Sequence, residues 1–264
     1  MPLICQALAS GSRGNAILVR SPKTRILVDA GTTCKELVRR LQITGTEAKC
    51  LDALILSHEH RDHVSAAGTL SRRFDLPVFA TRGTLDNLPV ETGRLASVNV
   101  FDTGRSFEIG DLRVHPFSIS HDAREPAGFV IEHEGVRLGI CTDLGVATNL
   151  VRVRLQGCHG LVLEANHDVD KLTAGPYPWL LKQRIRSNHG HLSNEESCTL
   201  LESIHHEKMS FVLFAHLSET NNHPDLVRKS FHRLSQSPEW ECVRFELAAQ
   251  NEIAPALELS DNRV

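Results

Sequence analysis

The sequence predicts an α/β protein built as a four-layer αββα sandwich, in which two β-sheets pack face to face between helices. Short apolar segments bounded by Gly, Ser, Asn and Pro occur in both halves of the chain, and segments with helical spacing alternate with them. A β-rich stretch, residues 98–142, lies between the two halves. Because each half offers strands and the helices to cover them, two packed sheets are the expected arrangement.

The first half is expected to form five strands and two helices. The strands are residues 3–8, 16–20, 25–29, 52–57 and 77–80. The helices are residues 33–42, where Leu37 and Leu41 lie four apart, and residues 63–74. The third strand closes on Asp29, which places a carboxylate at a strand end.

The second half continues with strands and then alternates strands with helices. The expected strands are residues 107–109, 112–119, 128–133, 136–142, 161–165 and 211–215, and the expected helices are 178–186 and 194–205. The chain contains neither a linker-like stretch nor a low-complexity tract. Residues 1–264 are therefore expected to form one domain, with a loosely ordered end at 254–264.

The composition excludes several classes of protein. The formal net charge of -3 argues against an all-over basic nucleic-acid binder, although it leaves room for a local basic groove. The seven cysteines are scattered without a C-x-x-C pair, which favours free thiols in a reducing compartment over a disulfide framework. The sequence shows neither a signal peptide nor an apolar stretch long enough to span a membrane. A cytoplasmic protein without a membrane partner is expected.

Three histidines and an aspartate lie within six residues, directly after the fourth expected strand. They are His58, His60, Asp62 and His63. Burying these four groups together without a cation would be costly, because the charged imidazoles repel and the carboxylate loses its hydration. A divalent metal removes that cost by coordinating neutral imidazole and ionised carboxylate.

The spacing H-x-H-x-D-H indicates two metal ions rather than one. Asp62 and His63 are expected to point away from His58 and His60, so the four side chains do not readily close on a single ion. Further candidate ligands follow downstream at the ends of expected strands: His121 in SISHDA, Asp143 in GICTDLG and His216 in FVLFAHLS. Strand ends belong to the rigid part of a fold and hold ligands in place.

Taken in order along the chain, these residues resemble the motifs of the metallo-β-lactamase superfamily. The resemblance implies the αββα sandwich of that superfamily and two ligand sets that share a bridging Asp143. The first set is His58, His60, His121 and Asp143, and the second is Asp62, His63, His216 and Asp143. It also implies that Asp29 supports the site without being a ligand, and that Asp62 is catalytic as well as a ligand.

The residue at position 143 argues against antibiotic hydrolysis. True β-lactamases of the superfamily place a Cys ligand on this strand, and Cys141 lies two residues too early to replace Asp143. A bridging carboxylate with a complete second site is typical of the members that hydrolyse phosphodiesters and thioesters.

Three further stretches resemble the WalJ/YycJ group of bacterial DNA exonucleases: SGSRGN (10–15), residues 163–185 and GHLSNEES (190–197). The resemblance implies a cytoplasmic 5′ to 3′ double-stranded DNA exonuclease with little base specificity. It implies two divalent metal ions per chain, with a metal-bridging hydroxide as the nucleophile. Nitrogen and oxygen ligands without thiolate suit Zn²⁺, Mn²⁺ or iron.

His191 is a candidate general acid, because related nucleases place the first His of this paired motif near the scissile phosphate. The alternative is an exposed residue preceding a capping box formed by Ser193 and Glu196. General acid catalysis by a positioned histidine typically contributes about 10²- to 10⁴-fold to the rate.

Several residues are candidates for contact with the substrate phosphates, and each also has an ordinary structural interpretation. The turn at 11–14 can hold a phosphate oxygen on its backbone N–H groups or can be a simple turn. The segment at 166–168 can line the site or can cap a helix, and the cations at 182–186 can be a solvated helix face. The candidates are Ser12, Arg13, Gly14, Asn15, Asn166, His167, Lys182 and Arg184.

Two other function classes stay open at this point. A small-molecule hydrolase of the same fold would act on a cyclic phosphodiester or a thioester. A metal-binding adaptor with weak catalysis would keep the ligands without turnover. The segment from Pro176 to Trp179 is either core packing or an aromatic wedge beside the substrate. DNA is the expected partner, a homo-oligomer is compatible with the sequence, and no protein partner is readable from it.

Overall fold

The computed structural model describes residues 2–260, and these residues form two seven-stranded sheets. The strands of the first sheet are β1 Leu3–Ala9, β2 Ala16–Arg20, β3 Arg25–Val28, β4 Ala53–Ile55, β5 Pro77–Ala80, β6 Ser97–Val100 and, from the end of the chain, β14 Leu257–Leu259. The strands of the second are β7 Phe107–Ile109, β8 Leu112–Ser118, β9 Ala127–His133, β10 Val136–Cys141, β11 Gly160–Glu164, β12 Phe211–Ala215 and β13 Arg244–Leu247. Their orders are β14-β1-β2-β3-β4-β5-β6 and β13-β12-β11-β10-β9-β8-β7.

Helices cover the outer faces of both sheets. Within residues 2–260 they are α1 Cys34–Ile43, α2 Arg61–Val64, α3 Ala67–Phe74, α4 Arg82–Asp86, α5 Asn149–Leu155, α6 Val169–Ala174, α7 Trp179–Ile185, α8 Asn194–Ile204 and α9 Pro224–Ser235. Short 3₁₀ segments lie at Ala48–Cys50, Val90–Thr92 and Pro238–Trp240. The capping box expected at Ser193 and Glu196 is present at the start of α8. It satisfies two backbone N–H groups that would otherwise lack partners.

The core consists of three apolar layers, as an αββα sandwich requires. On β3, Ile26 and Val28 point into the layer between the sheets, where they share one buried cluster with Phe129 of β9. Leu27 points the other way and packs in the cluster that contains Leu37 of α1. Alternate residues of a strand face opposite sides, so one apolar strand contributes to two layers. The predicted fold class is confirmed.

The parallel strands bring the chemistry to one edge of the sandwich. Strands β3, β4 and β5 are parallel in the first sheet, and β10, β11, β12 and β13 are parallel in the second. The residues that follow β3, β4, β10 and β12 therefore emerge at neighbouring positions. Ligand sites of open α/β sheets commonly lie at the carboxyl ends of such strands.

Three expectations about the fold need correction. The helix expected at 63–74 is two helices, α2 and α3, because the chain turns at Ser65–Ala66, where the Ala66 N–H donates to the Ala30 carbonyl. The third strand ends at Val28 rather than at Asp29, which adopts a left-handed conformation with φ of 64°. The end of the chain is not loose at Leu257–Leu259, since β14 pairs with β1. Residues 261–264 lie outside the described residues.

No helix among residues 2–260 combines the length and the apolar character needed to cross a membrane.

Candidate metal centre

The predicted ligand residues converge in the structure as two adjacent groups. Nitrogen atoms of His58, His60 and His121 form one group, in which His60 Nδ1 lies 3.2 Å from His121 Nε2. The other group consists of Asp62, His63 and His216, in which Asp62 Oδ2 lies 3.4 Å from His216 Nε2. The ligand atoms within each group all lie within 4.8 Å of one another. Each group can hold a metal ion.

Asp143 lies between the two groups. Its Oδ1 atom is 3.8 Å from His121 Nε2 and 3.4 Å from His216 Nε2, and its Oδ2 atom is 3.2 Å from His63 Nε2. This position matches the bridging role that the resemblance implies.

Two buried polar atoms at the centre fit a cation. Nε2 of His58 has no hydrogen-bond partner among the described residues, and Oδ2 of Asp143 has no well-aligned hydrogen bond beyond its 3.2 Å contact with His63 Nε2, although both side chains are buried. A buried imidazole nitrogen without a partner and a poorly satisfied buried carboxylate oxygen are costly, and coordination to a divalent ion satisfies both.

The charges of the cluster point to the same conclusion. Burial and the neighbouring His63 hold the pKa of His58 well below its usual range. The pKa of His63 is well above its usual range, because Asp143, Asp29 and Asp62 outweigh the effect of burial. Burial opposes ionisation of Asp143, but His216 and His63 hold its pKa well below the usual range. Buried carboxylates here retain protons on neighbouring imidazoles, and a bound divalent cation takes the place of those protons.

Three residues of the site have left-handed backbone conformations that are uncommon outside glycine. Asp29, Asp143 and His216 have φ of 64°, 58° and 57°. Asp29 and His216 directly follow a strand, and Asp143 lies two residues after one. The turn at each position directs the side chain across the edge of the sheet. Such conformations cost of order 1–3 kcal/mol each and persist where surrounding contacts fix them, often at functional sites.

Asp29 occupies a supporting position beneath the histidines. Its Oδ1 accepts a hydrogen bond from the Ser57 backbone N–H at 2.8 Å, and its Oδ2 lies 2.8 Å from both Ser57 Oγ and His63 Nδ1. Ser57 Oγ in turn lies 3.0 Å from His58 Nδ1. With Nδ1 engaged in both histidines, Nε2 is the nitrogen that faces the centre of the site.

Asn15 supports the site from another loop. Its backbone N–H donates to the Asp62 carbonyl at 2.8 Å, and its Nδ2 atom lies 3.1 Å from His63 Nε2. Gly31 passes so close that a Cβ atom there would lie 1.6 Å from the Asp62 carbonyl oxygen. These contacts fix the backbone that carries Asp62 and His63.

Glu164 is a functional residue that the sequence analysis missed. It is fully buried at the end of β11, and its Oε1 accepts from His191 Nδ1 at 2.8 Å and from His216 Nδ1 at 3.0 Å. Its Oε2 accepts from the backbone N–H groups of Leu144 at 2.9 Å and Leu192 at 3.0 Å. The signal in the sequence is a charged residue closing an otherwise apolar strand, as Asp29 and Asp143 do beside their own strands.

His191 lies at the mouth of the centre, with 21% of its side chain exposed. It lines an open pocket together with the polar residues Ser12, Asn166 and Ser218 and the largely apolar residues Tyr177, Leu181 and Ile185. Burial lowers the pKa of His191, but the adjacent Glu164 carboxylate outweighs this effect and raises it. The Nδ1–H bond to Glu164 leaves Nε2 for a partner in the pocket.

The candidate phosphate contacts divide into residues that reach the pocket and residues that do not. Ser12, Asn166 and Arg184 line it, and Arg184 also forms an ion pair with Asp122. His167 does not reach it, since only 2% of the residue is exposed and burial lowers its pKa to about 4. It was a wrong candidate.

The remaining candidates are engaged elsewhere. The Lys182 ammonium donates to the carbonyls of Thr173 and Gly175, both at 2.7 Å. Arg13 forms an ion pair with Glu219 at 2.6 Å. Asn15 is buried against Asp62, and a Cβ atom at Gly14 would lie 2.7 Å from the Gly31 carbonyl oxygen. Neither Asn15 nor Gly14 is among the residues that line the pocket.

Comparison with known proteins agrees with this fold and site. The model of the beta-lactamase superfamily domain matches residues 24–214. The exodeoxyribonuclease YycJ of Bacillus anthracis is 33% identical over 232 residues, which cover 87% of this chain and 88% of that protein. The exodeoxyribonuclease WalJ of Streptococcus pneumoniae is 32% identical over 235 residues, with 87% of each chain covered.

A solved structure shows the same fold at low sequence identity. The metallo-beta-lactamase fold protein YhfI from Bacillus subtilis superposes with a TM-score of 0.73 at 17% identity, covering 96% of this chain and 98% of the other. The resemblance to the WalJ/YycJ group is confirmed by the relatives at 33% and 32% identity. The chain belongs to the metallo-β-lactamase superfamily and is a metal-dependent hydrolase of that fold.

Proposed function

We propose that this hydrolase is an exodeoxyribonuclease that removes nucleotides from the end of double-stranded DNA. The observation that carries the proposal is the pocket at the mouth of the metal centre. The pocket is lined by polar residues, among them His191, and by the largely apolar side chains of Tyr177, Leu181 and Ile185. A nucleotide has matching parts, a charged phosphodiester and a flat base with apolar faces. The two relatives named exodeoxyribonucleases cover 87% of the chain and support the choice of DNA.

The two groups of ligands described above are proposed to hold two divalent ions, with Asp143 bridging them. His58, His60 and His121 would hold one ion, and Asp62, His63 and His216 the other. Zn²⁺, Mn²⁺ and iron all suit this set of nitrogen and oxygen donors. When bound, such ions polarise a phosphoryl oxygen and lower the pKa of water, which supplies the nucleophile at neutral pH.

The residues around the ions would orient and neutralise the substrate. His191 Nε2 would give a proton to the departing sugar oxygen, and the 2.8 Å contact of Nδ1 with Glu164, which holds the ring, supports this role. Ser12, Asn166 and Ser218 line the same pocket and would offer hydroxyl and amide donors to the phosphate oxygens. Leu181 and Ile185 carry no hydrogen-bonding group that could distinguish one base edge from another, which supports the proposal of cleavage with little base specificity.

The proposal is tested with linear duplex DNA labelled at either the 5′ or the 3′ end. Protein freed of metal by chelation is resupplied with Mn²⁺ or Zn²⁺, and the products are resolved by size. We expect early release of labelled mononucleotide from the 5′-labelled duplex, which would establish the 5′ to 3′ direction. His60→Ala removes a proposed ligand and is expected to abolish release, whereas His232→Ala, on the exposed surface of α9, is its matched control.

The opposite outcomes are equally informative. Early release of label from the 3′-labelled duplex would support the exonuclease activity but show that digestion runs from 3′ to 5′. Absence of DNA cleavage with either metal, in protein that binds two ions, would contradict the proposal. Hydrolysis of a cyclic phosphodiester or a thioester by the same preparation would then identify a small-molecule hydrolase. Binding of metal without any turnover would indicate the adaptor.

A further inference from the structure

Helix α7 leaves two large apolar side chains in solvent close to the proposed active site. Trp179 is 66% exposed and Leu180 is 77% exposed. Core packing is therefore not what places Trp179 at this position. Exposed apolar surface of this kind often marks an interaction site.

Trp179 lines a groove of its own, separate from the active-site pocket. The other residues of this groove, which we name the Trp179 groove, are Thr173, Lys182, Gln183 and Arg186. The groove contains two cationic residues and no acidic residue. It combines an aromatic face with positive charge.

The same helix separates the Trp179 groove from the active-site pocket. Leu181 and Ile185, four residues apart, face the pocket, whereas Trp179, Lys182 and Arg186 line the groove. Residues three or four apart lie on one face of a helix, so the two sets belong to two different faces. A DNA strand that leaves the pocket and crosses α7 would reach the Trp179 groove on the other side of the helix.

The charge of this part of the chain favours a polyanion. Residues 171–194 include four Lys or Arg and no Asp or Glu, in a protein whose net charge is -3. Lys182 is held by the carbonyls of Thr173 and Gly175, and Arg184 is paired with Asp122. Arg186 is exposed on the groove side. Positive charge gathered in one short segment attracts the phosphate backbone even when the whole protein is acidic.

We propose that the Trp179 groove binds an unpaired nucleobase of the DNA, stacked on the Trp179 indole, with a neighbouring phosphate at Arg186. This inference rests on the proposed function, since it assigns a second contact for the same DNA substrate outside the cleavage pocket. Base stacking on an aromatic side chain is independent of sequence, because every base has a π face. Stacking of one base is expected to tighten binding by about 5- to 150-fold.

Tryptophan fluorescence gives a direct test, because the chain has two tryptophans and Trp240 is buried. The full-length His60→Ala protein, which is expected not to cleave, is titrated with a short oligothymidylate and with an abasic oligonucleotide of equal length and charge. Stacking predicts quenching of the exposed indole by the oligothymidylate and little quenching by the abasic strand. Trp179→Phe, which retains a stacking surface, should lose the signal and keep the affinity.

Affinity measured by anisotropy of a labelled strand separates stacking from charge. Trp179→Ala is expected to weaken oligothymidylate binding by about 5- to 150-fold and to leave the abasic strand unaffected. Arg186→Gln should weaken the binding of both strands. It should also reduce the dependence of the binding constant on salt concentration by the amount expected for about one phosphate contact. Val153→Ala truncates an equally exposed apolar residue, 67% exposed on α5, and is the matched control. In the otherwise unmodified protein, Trp179→Ala should hydrolyse a small chromogenic phosphodiester at the unaltered rate.

Three results would overturn the inference. If the wild type cleaves duplex DNA but Trp179→Ala binds oligothymidylate with unchanged affinity, the proposed role of the Trp179 groove is refuted. The proposed function is then unaffected. A protein that neither binds nor cleaves DNA would refute both. If Trp179 emission instead shifts with protein concentration alone, and sedimentation shows dimers, the groove is a contact with a second copy and the inference is wrong.

Discussion

Replacing Glu164 by glutamine preserves the shape of the side chain but turns one of its two acceptor atoms into a donor. The carboxylate accepts four hydrogen bonds, from His191 Nδ1, from His216 Nδ1 and from the backbone N–H groups of Leu144 and Leu192. An amide can satisfy only one of these pairs. The consequence depends on which way the amide turns.

In one orientation the amide oxygen serves the two backbone N–H groups, and the NH₂ group faces the two histidines. Each imidazole must then carry its proton on Nε2. For His216 that nitrogen faces Asp62 and Asp143, so a protonated Nε2 no longer binds a metal ion. In the other orientation two buried backbone donors face an NH₂ group, at about 1–3 kcal/mol each.

The first orientation keeps the hydrogen bonds of the two buried backbone N–H groups and is therefore favoured. Glu164→Gln is accordingly expected to fold but to bind metal poorly. Removing such an outer partner of a metal-binding histidine typically costs about 10- to 100-fold in metal affinity or activity. Competition with a chromophoric chelator measures the affinity, and thermal unfolding of the metal-free protein measures the fold. Glu202→Gln makes the same chemical change on α8, where Glu202 pairs with Arg233, and should alter neither. Wild-type metal affinity and cleavage rate in Glu164→Gln would refute the role assigned to this carboxylate.

Three further outcomes are expected. Gly31→Ala should destabilise the protein by about 1–3 kcal/mol or more in urea unfolding, and reduce its metal content, because the new Cβ would lie 1.6 Å from the Asp62 carbonyl oxygen. His191→Ala should lower the maximal rate of DNA hydrolysis by about 10²- to 10⁴-fold while metal analysis still finds two ions. His167 stays neutral in the fold, because burial lowers its pKa to about 4 while the unfolded chain titrates near 6.5. The unfolded state thus binds more protons, and stability is present above pH 6.5 and lost as the pH falls toward 4. Between pH 7 and pH 5, the free energy of unfolding measured with urea should fall by about 2 kcal/mol less in His167→Leu than in the wild type. An equal fall in the wild type and the variant would contradict the burial argument.

The parts of the fold predicted from sequence are those that carry a strong local pattern. Strands β3, β4, β11 and β12 are short apolar runs bounded by polar residues, and they lie where the sequence places them. Strand β6 was missed because all four of its residues are exposed, so it lacks the alternation that marks a strand. Strand β14 exists because it pairs with β1, more than two hundred residues away, and a local pattern does not reveal such pairing.

The candidate ligands follow a similar rule. His58, His60, Asp62 and His63 are close in sequence, and a crowded set of this kind is visible without a structure. Glu164 lies 27 residues from His191 and 52 from His216. The parallel pairing of β11 with β12 brings it beside His216, and the Asn166 N–H bond to the Leu192 carbonyl holds the segment of His191 at the end of β11. The left-handed turns at Asp29, Asp143 and His216 are equally invisible, because an aspartate or a histidine at a strand end does not by itself predict φ above zero.

The different outcomes at Asn166, which lines the pocket, and at His167, which does not, show what separates proximity in sequence from a place in the site. The chain after β11 is extended, and successive side chains of an extended segment point to opposite sides. The Asn166 Nδ2 atom donates to the His216 carbonyl at 3.0 Å beside the metal centre, whereas His167 is buried with only 2% of the residue exposed. On α7 the helical period takes the place of this alternation: residues two apart lie on nearly opposite sides of the helix, so Leu181 lines the pocket and Trp179 lies outside it. Assigning a face to each residue is therefore what converts a list of polar and aromatic candidates into one cleavage pocket and one separate groove.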